Sequence, residues 1–521
     1  MSNIINITVV MDNEKQHDMP ERENRESIIL THDSSMTVMS TLLKNGLIQG
    51  SFCGGRGDCG RCRIQFLSGA AMPTAIERSV MEPEELRQGY RLACLARPKD
   101  SCVIKLAMED ETQLVIVADM IPMADKNDHI SQHNKQTIKQ KADVIEIDGK
   151  EAIIAVDLGT TTIVMQLVEL NTGRLIDTCC GMNPQRRYGA DVLSRIKASC
   201  EGSREALQNC VAEVLEQGVS RFRECLAGSG CTIVGMCIAG NTTMGHLLMG
   251  YDVSTLGGSP FTPVEIGLQE YPNHGWGFPV WLAPGISAFV GGDIVAGLYA
   301  LNMLPCSHKE WKEQDTGVIV LIDLGTNGEM AITDGRRMIV TATAAGPAFE
   351  GGAGAGVVGS DMVACTAQLL YSGVLDETGL LAEPYFTEGV SVGNPAVRLC
   401  NQDMRDLQMA KAAVRAGIEI LWIRMGRPQI RAVCLAGGFG YYLDVEAAFR
   451  IGLLPQYLRG SVQAVGNTAL AGAFRMGRDL YTGAVDRERI GQCLSSIESI
   501  NLAEQEEFEK LYIEYMEFRQ G

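Results

Sequence analysis

A chain of 521 residues has room for roughly two to four domains, and 45 basic against 63 acidic side chains leave it a formal charge of −18. An apolar share of 46% with 21% charged residues is an ordinary globular balance that excludes a largely disordered protein. The charge argues against nucleic acid as a general partner, and no apolar run approaches the ~18 residues of a membrane span. The opening MSNIINITVVMDNEKQHD also lacks the basic-then-apolar layout of a signal peptide, so the expectation is a soluble cytoplasmic protein with neither a membrane nor a nucleic-acid partner.

Residues 1–120 read as a small β-rich unit. NITVVM and ESIILTH alternate as strands joined by a polar hairpin, and SMTVMSTLLKNG reads as a Ser-capped helix ending at Gly46. The strand RCRIQFLSG, the short acidic helix EPEELRQG and the strand CVIKLAM follow. Residues 121–146 are polar and rich in Lys, Asn and Gln, the composition of a linker. From 147 onward, apolar strand-like runs alternate with helices, the signature of α/β layers. A strand–Asp–Leu–Gly–Thr pattern occurs at Asp157 and again at Asp323, which predicts two similar lobes over 147–310 and 311–485. In the tail, 486–521, AEQEEFEKLYIEYMEFR reads as an amphipathic packing or dimer helix. Seventeen cysteines in a reducing compartment are expected to be metal ligands or buried thiols. Cys200, Cys210, Cys225, Cys231, Cys237 and Cys434 read as small buried hydrophobes, and a redox role is the weaker reading of the vicinal pair Cys179–Cys180.

Cys53, Cys59 and Cys62 form C-x5-C-x2-C, and Cys94 follows in RLACLARP. A Gly-rich wrap such as Cys-Gly-Gly-Arg-Gly-Asp-Cys-Gly-Arg-Cys suits an iron–sulfur cluster, because its glycines let backbone N–H groups turn inward toward sulfide. Those N–H groups, with Arg56 and Arg61, would offset the negative charge of a thiolate-ligated cluster. Zinc is the alternative metal, but its sites usually pair two C-x2-C knuckles and only one is present. The pattern resembles plant- and adrenodoxin-type ferredoxins. That resemblance implies a β-grasp fold and a [2Fe–2S] cluster held by Cys53, Cys59, Cys62 and Cys94.

No G-x-x-x-x-G-K-[ST] phosphate loop occurs. A literal G-x-G-x-x-G at Gly354, Gly356 and Gly359 follows no obvious strand, and no strand-end acid comes about 20 residues later, so a dinucleotide-binding reading fails. In AVDLGTTT, Asp157 ends a buried strand, and Gly159, Thr160, Thr161 and Thr162 offer N–H and O–H donors to phosphate oxygens. Its carboxylate can hold Mg²⁺ through water. In LIDLGTNGEM, Asp323 with Gly325, Thr326, Asn327 and Gly328 supplies the same kit from the other lobe, with Glu329 just beyond. In CLAGGFG, Gly437 and Gly438 form a turn where adenine and ribose can approach the backbone. Each element alone also reads as a plain hairpin turn or helix start. Asp293 in FVGGDIVAG, and Asn241, Thr242 and Thr243 in IAGNTTMGHLL, read either as helix starts or as cleft residues that position water or contact a partner. The segment MNPQRRYGADVLSRI gives Arg186 and Arg187 no role that chemistry assigns.

In this order and spacing, the three Gly-rich elements resemble the phosphate-1, phosphate-2 and adenosine motifs of the superfamily of acetate and sugar kinases, heat-shock chaperone ATPases and actin. The resemblance implies ATP in the cleft between two lobes, with Asp157 and Asp323 near the metal; Asp157, Asp323, Glu329 and Asp293 are the candidate catalytic residues. The fold class is then α/β and α+β multidomain: an N-terminal β-grasp ferredoxin domain, a polar linker and a C-terminal two-lobed actin-like (ribonuclease H-like) ATPase. Taken whole, the chain resembles the reductive activators of corrinoid proteins found in anaerobes that use methyl transfer. That resemblance implies ATP-dependent reduction of an inactive Co(II) corrinoid to Co(I). It implies further a [2Fe–2S] relay, Mg²⁺, a corrinoid protein as partner, a low-potential electron donor and a homodimer. Only segment 121–146 separates ferredoxin from ATPase, whereas larger members insert another small domain there. A nucleotide-dependent chaperone with a structural cluster, and a metabolite kinase with an accessory cluster, are the alternatives.

Overall fold

The computed structural model describes residues 4–10, 27–45, 47, 62–81, 83–106, 150–272, 275–304, 317–325, 327–346, 349, 359–392 and 397–519. Gly46, Cys53, Cys59, Thr326, Gly354 and Gly356, together with segment 121–146, lie outside the described residues. No helix among the described residues is long and apolar enough to cross a membrane.

Five strands build the N-terminal unit: β1 (Ile4–Val10), β2 (Ser27–Asp33), β3 (Arg63–Ser68), β4 (Tyr90–Leu92) and β5 (Cys102–Leu106). They form one mixed sheet in the order β2-β1-β5-β3-β4, with β1 and β5 parallel and the other pairs antiparallel. Alternation along β1 sends Ile7 and Val9 inward against Leu30, Leu42, Ile64, Leu92 and Ile104. This is the expected β-grasp layout. The helix Val38–Lys44 covers the core, but the hydroxyl that accepts from the Ser40 N–H belongs to Thr37, while Ser35 is held in a turn by Asp33. The Ser cap read from the sequence is therefore a Thr.

Two six-stranded sheets follow. The first contains β6 (Glu151–Leu158), β7 (Thr162–Glu169), β8 (Leu175–Met182), β9 (Thr232–Gly240), β10 (Gln269–Glu270) and β11 (Val280–Leu282), ordered β10-β11-β9-β6-β7-β8. The second contains β12 (Val318–Leu324), β13 (Asn327–Thr333) and β14 (Met338–Ala344). After a small β15 (Val390–Val392)/β16 (Val397–Leu399) pair, it is completed by β17 (Ile430–Ala436), β18 (Val462–Gly466) and β19 (Glu498–Ser499), ordered β18-β17-β12-β13-β14-β19. In each, a three-stranded antiparallel meander continues into parallel strands: β6 pairs with β9, β9 with β11, β12 with β17 and β17 with β18. The central strands are buried on both faces, which is why they read as near-continuous apolar runs. Ile153 and Ala155 of β6 point into one core while Ala152, Ile154 and Val156 point into another.

The core between the sheets is shared. Ile153, Ala155, Cys237 and Ala239 from the first sheet, and Leu321, Ala331, Val340 and Ala436 from the second, meet around the helices Gly292–Ala300 and Thr468–Tyr481. The later helix lies on β6 and β9, so the second half of the chain closes the first sheet. The two helices cross at Gly472, where a Cβ would overlap the Ala296 carbonyl. Arg475 donates to the carbonyls of Tyr299 and Ala300 at 3.2 Å, and the Tyr299 hydroxyl donates to Asp479 at 2.7 Å.

Three local expectations change. Cys210, Cys231, Cys237 and Cys434 are buried, but Cys200 and Cys225 are exposed. Cys200 sits in a π-turn interrupted at Gly202, and Cys225 ends a helix beside the exposed Arg221. The C-terminal helix is shorter than its amphipathic pattern, spanning Glu506–Glu514, and it packs on the helix Asn401–Arg424 of the same chain. Its end is fixed by the buried Lys411 ammonium, which donates to the carbonyls of Tyr515 and Glu517 while Phe518 turns into the core. The tail before it also contributes a strand, β19, to the sheet edge.

Gly472→Ala is expected to destabilise the protein by about 3 kcal/mol or more in urea denaturation, because backbone meets backbone there and neither can yield cheaply. Gly491→Ala, in the exposed helix Arg487–Leu494 with nothing near its Cβ, is expected to be neutral or stabilising by up to about 1 kcal/mol.

Candidate functional site

Two of the four motif cysteines lie among the described residues. Cys62 precedes β3 and Cys94 follows β4; both are buried, with their sulfurs 3.2 Å apart. The Ala93 N–H donates to the Cys62 carbonyl at 2.7 Å, which sets the two cysteines side by side. Below them Glu77 is fully buried and accepts from the Leu92 and Thr74 N–H groups at 2.8 and 2.6 Å. Two thiolates on one tetrahedral metal sit roughly 3.8 Å apart for ~2.3 Å bonds, so this pair is spaced to share one iron with little movement. Cys102, buried in the same core, is a different case: burial pushes its thiol up to about 11, leaving it protonated and inert.

The second site lies at the carboxyl ends of β6 and β12, the central strands of the two sheets. Asp157 and Asp323 are each the penultimate residue of their strand. Glu329 stands directly opposite Asp323 in the β12–β13 pairing, whereas Val164 occupies that position opposite Asp157. Asp293 enters from the first turn of the helix Gly292–Ala300 and accepts from the Ile294 N–H at 2.8 Å. The four carboxyls feel one another. Burial pushes Asp157 up to about 6, opposed by the hydrogen bond from Asn467. Burial, aided by the charge of Asp157, pushes Asp293 up to about 7. Burial, then the charges of Asp293 and Asp157, push Asp323 up to about 7, and burial with Asp293 and Asp323 holds Glu329 well above the usual carboxylate range. Burial is the main cause in all four, and the charges of neighbouring acids add to it at Asp293, Asp323 and Glu329, so a divalent cation placed among them would favour their ionised forms.

The loop from Gly159 to Thr161 is held from behind by the segment whose arginines had no role in the sequence. Asn183 donates from its side chain to the Gly159 carbonyl and from its N–H to the Thr161 carbonyl, both at 2.8 Å. Between them the fully buried Arg195 donates to the Thr160 carbonyl. Three successive carbonyls thus turn to one side, leaving the N–H side as the one a phosphate would meet. Arg186 is buried against Met182 and Arg187 is exposed, so neither shares this task. Thr162 opens β7. Asn241 caps the helix Thr242–Met249 through the Met244 N–H and donates its amide to the Thr160 hydroxyl at 2.9 Å; Thr242 donates to the Ser287 carbonyl, and Thr243 is buried. In the other lobe, the Gly325 N–H donates to the Asn327 carbonyl to close the turn before Gly328, and the Asn327 side chain reaches Glu329. Gly437 and Gly438 begin the helix Gly437–Tyr442, where a Cβ on Gly437 would overlap the Asp323 carboxylate. Gly359 merely opens the helix Gly359–Ser372.

Asn183, Arg195 and Asn467 escaped the sequence reading. A signal for Asn467 was present: Gly-Asn-Thr occurs at 240–242 and again at 466–468, each time between a strand and a helix.

Residues 153–305 match the family model described as the RACo middle region, and residues 317–355 and 353–520 match the C-terminal domain of RACo, the ASKHA domain. Residues 22–99 match the 2Fe-2S iron-sulfur cluster binding domain. The chain belongs to the RACo family. It is similar to the corrinoid activation enzyme RamQ of Eubacterium limosum, 28% identical over 418 residues that cover 65% of each chain. The match thus spans just under two thirds of that relative. It is also similar to the [Co(II) methylated amine-specific corrinoid protein] reductase of Methanosarcina barkeri, 21% identical over 388 residues, or 61% of this chain and 68% of the other. A solved structure titled as a reductive activator for corrinoid, iron-sulfur protein has the same fold over 98% of both chains, with a TM-score of 0.58 at 22% identity. This RACo-family chain therefore joins a [2Fe–2S] domain to an ATP-binding ASKHA fold.

The raised carboxyls make the folded chain bind more protons than the unfolded one between about pH 4 and 7, so its stability falls as pH rises through that window. In EDTA, the melting temperature of the ATPase transition is expected to drop between about pH 5.5 and pH 8. Millimolar Mg²⁺ should restore it at the higher pH far more than at the lower, and Asp323→Asn should flatten the slope. Calorimetry across that range with and without Mg²⁺ checks it.

Proposed function

We propose that the chain is an ATP-dependent reductive activator that returns the Co(II) corrinoid of a methyl-carrying corrinoid protein to Co(I). What supports this is the presence in one chain of the Cys62–Cys94 pair in the ferredoxin unit and of four buried, mutually influencing carboxyls at Asp157, Asp293, Asp323 and Glu329 in the ASKHA unit. The likeness to RamQ and to the corrinoid-protein reductase supports the choice of substrate. When bound, the cluster supplies single electrons to the cobalt, one per Co(II) reduced to Co(I), while Mg–ATP supplies the free energy. Each ~59 mV uphill costs a one-electron step a factor of ten in equilibrium, which is the reason to couple it to a nucleotide.

In this reading Cys53, Cys59, Cys62 and Cys94 hold the cluster. Asp157, Asp323 and Glu329 hold Mg²⁺ through water, and Asp293 orients the attacking water from its helix start. Gly159 to Thr162 and Gly325 to Gly328 receive the phosphates, and the backbone at Gly437 and Gly438 receives adenosine. Arg195 and Asn183 keep the first phosphate loop in its receiving shape. Closure of the lobes around the nucleotide would turn its state into motion at the partner surface. The partners are a corrinoid protein and a low-potential electron donor, in the cytoplasm, and the active form is a homodimer.

Cys94→Ser separates this reading from a kinase or a chaperone with a structural cluster. The variant is expected to lose at least 90% of Co(I) formation, followed by visible spectroscopy without oxygen, while Mg–ATP affinity stays within about twofold. Unchanged Co(I) formation by the variant would contradict the proposal.

A further inference from the structure

Asn467 stands where the second lobe hands its chain to the first. It follows β18, caps the helix Thr468–Tyr481 and is buried. Its carbonyl oxygen accepts from the Leu470 N–H at 2.8 Å, and its amide nitrogen donates to Asp157 Oδ2 at 2.8 Å, across 310 positions of sequence. The two bonds fix the amide orientation, since the N–H requires the oxygen and the carboxylate requires the nitrogen. Asn241 repeats the device in the first lobe, with its carbonyl on the Met244 N–H and its amide on Thr160. Both asparagines therefore spend one end of the amide on their own helix and the other on the segment 157–160. A plain helix cap needs only the acceptor, so the donor reaching Asp157 is surplus to capping.

We infer that Asn467 is the positioning residue for Asp157: it holds one carboxylate oxygen so that the other faces the cation, and ties that geometry to the helix joining the lobes. The inference rests on the reading of this cleft as the Mg–nucleotide site. Asn467 is neutral, so it orients Asp157 without competing with Mg²⁺ for its charge, as an arginine or lysine would.

Asn467→Ser keeps a capping oxygen and loses the donor to Asp157. Nucleotide binding by calorimetry, with Mg²⁺ and in EDTA, reads the consequence. The variant is expected to melt within about 2 °C of the parent and to bind Mg–ATP about tenfold more weakly, with metal-free ATP binding unchanged. Asn467→Asp, an equally good cap that turns a second carboxylate toward Asp157, is expected to lose more. In an Asp157→Asn background, Asn467→Ser should have no further effect on Mg–ATP binding, because positioning acts through Asp157. Additive losses in the double variant, or Mg–ATP affinity unchanged in Asn467→Ser, would overturn the assignment. Absence of any Mg-dependent ATP binding by the parent chain would overturn the underlying site reading as well.

Discussion

The helices Gly292–Ala300 and Thr468–Tyr481 cross so closely that the Gly472 position meets the Ala296 backbone, and the ATPase unit is organised around that contact. Each sheet alone has an apolar face that must be covered. Here the covering helix of the first sheet comes from the far end of the chain, and both helices sit in one core with residues from both sheets. The same two helices carry Asp293 in the first turn of one and Asn467 as the N-cap of the other, the latter bonded to Asp157 at the end of β6. Packing and site geometry are therefore not separable. A change in the crossing changes where a carboxylate and its hydrogen-bond donor stand.

The four carboxyls are costly to keep together without a cation. Burial pushes Asp157, Asp293, Asp323 and Glu329 up, with neighbouring charges adding to it at the last three, so the protein resists full ionisation of the set. This is the condition under which binding Mg²⁺ with its nucleotide gains most, because it relieves a strain that the fold already carries. The backbone beside the carboxyls is held by side chains from elsewhere: Asn183 and Arg195 donate to the carbonyls of residues 159–161. The Asn467–Asp157 bond ties the start of a second-lobe helix to the end of β6 in the first lobe.

Much of this was legible in sequence because the signals are local. Asp-Leu-Gly-Thr ends a buried strand and turns it, so the two copies announced two lobes and their acids. C-x5-C-x2-C with a later Cys announced the ferredoxin unit, and the β-grasp strands followed from period-two alternation. The unread parts are long-range. Arg195 acts on a backbone carbonyl 35 positions away, and Asn467 acts on Asp157 at 310, so neither leaves a pattern in a window of sequence. Burial of single cysteines failed for Cys200 and Cys225, because helical periodicity does not reveal a π-turn or which face of a last turn meets solvent. The amphipathic pattern also overran the true end of the C-terminal helix, which Lys411 sets from another element.

The most direct test of the central claim is anaerobic visible spectroscopy of this protein mixed with a Co(II) corrinoid protein of a methyltransferase system and a low-potential one-electron reductant, with and without ATP. The account predicts that the Co(I) band appears only when ATP and Mg²⁺ are present with the reduced cluster. Reversible reduction of the cluster with cobalt remaining Co(II) across several such corrinoid proteins would contradict it, as would Co(I) formation that ignores ATP.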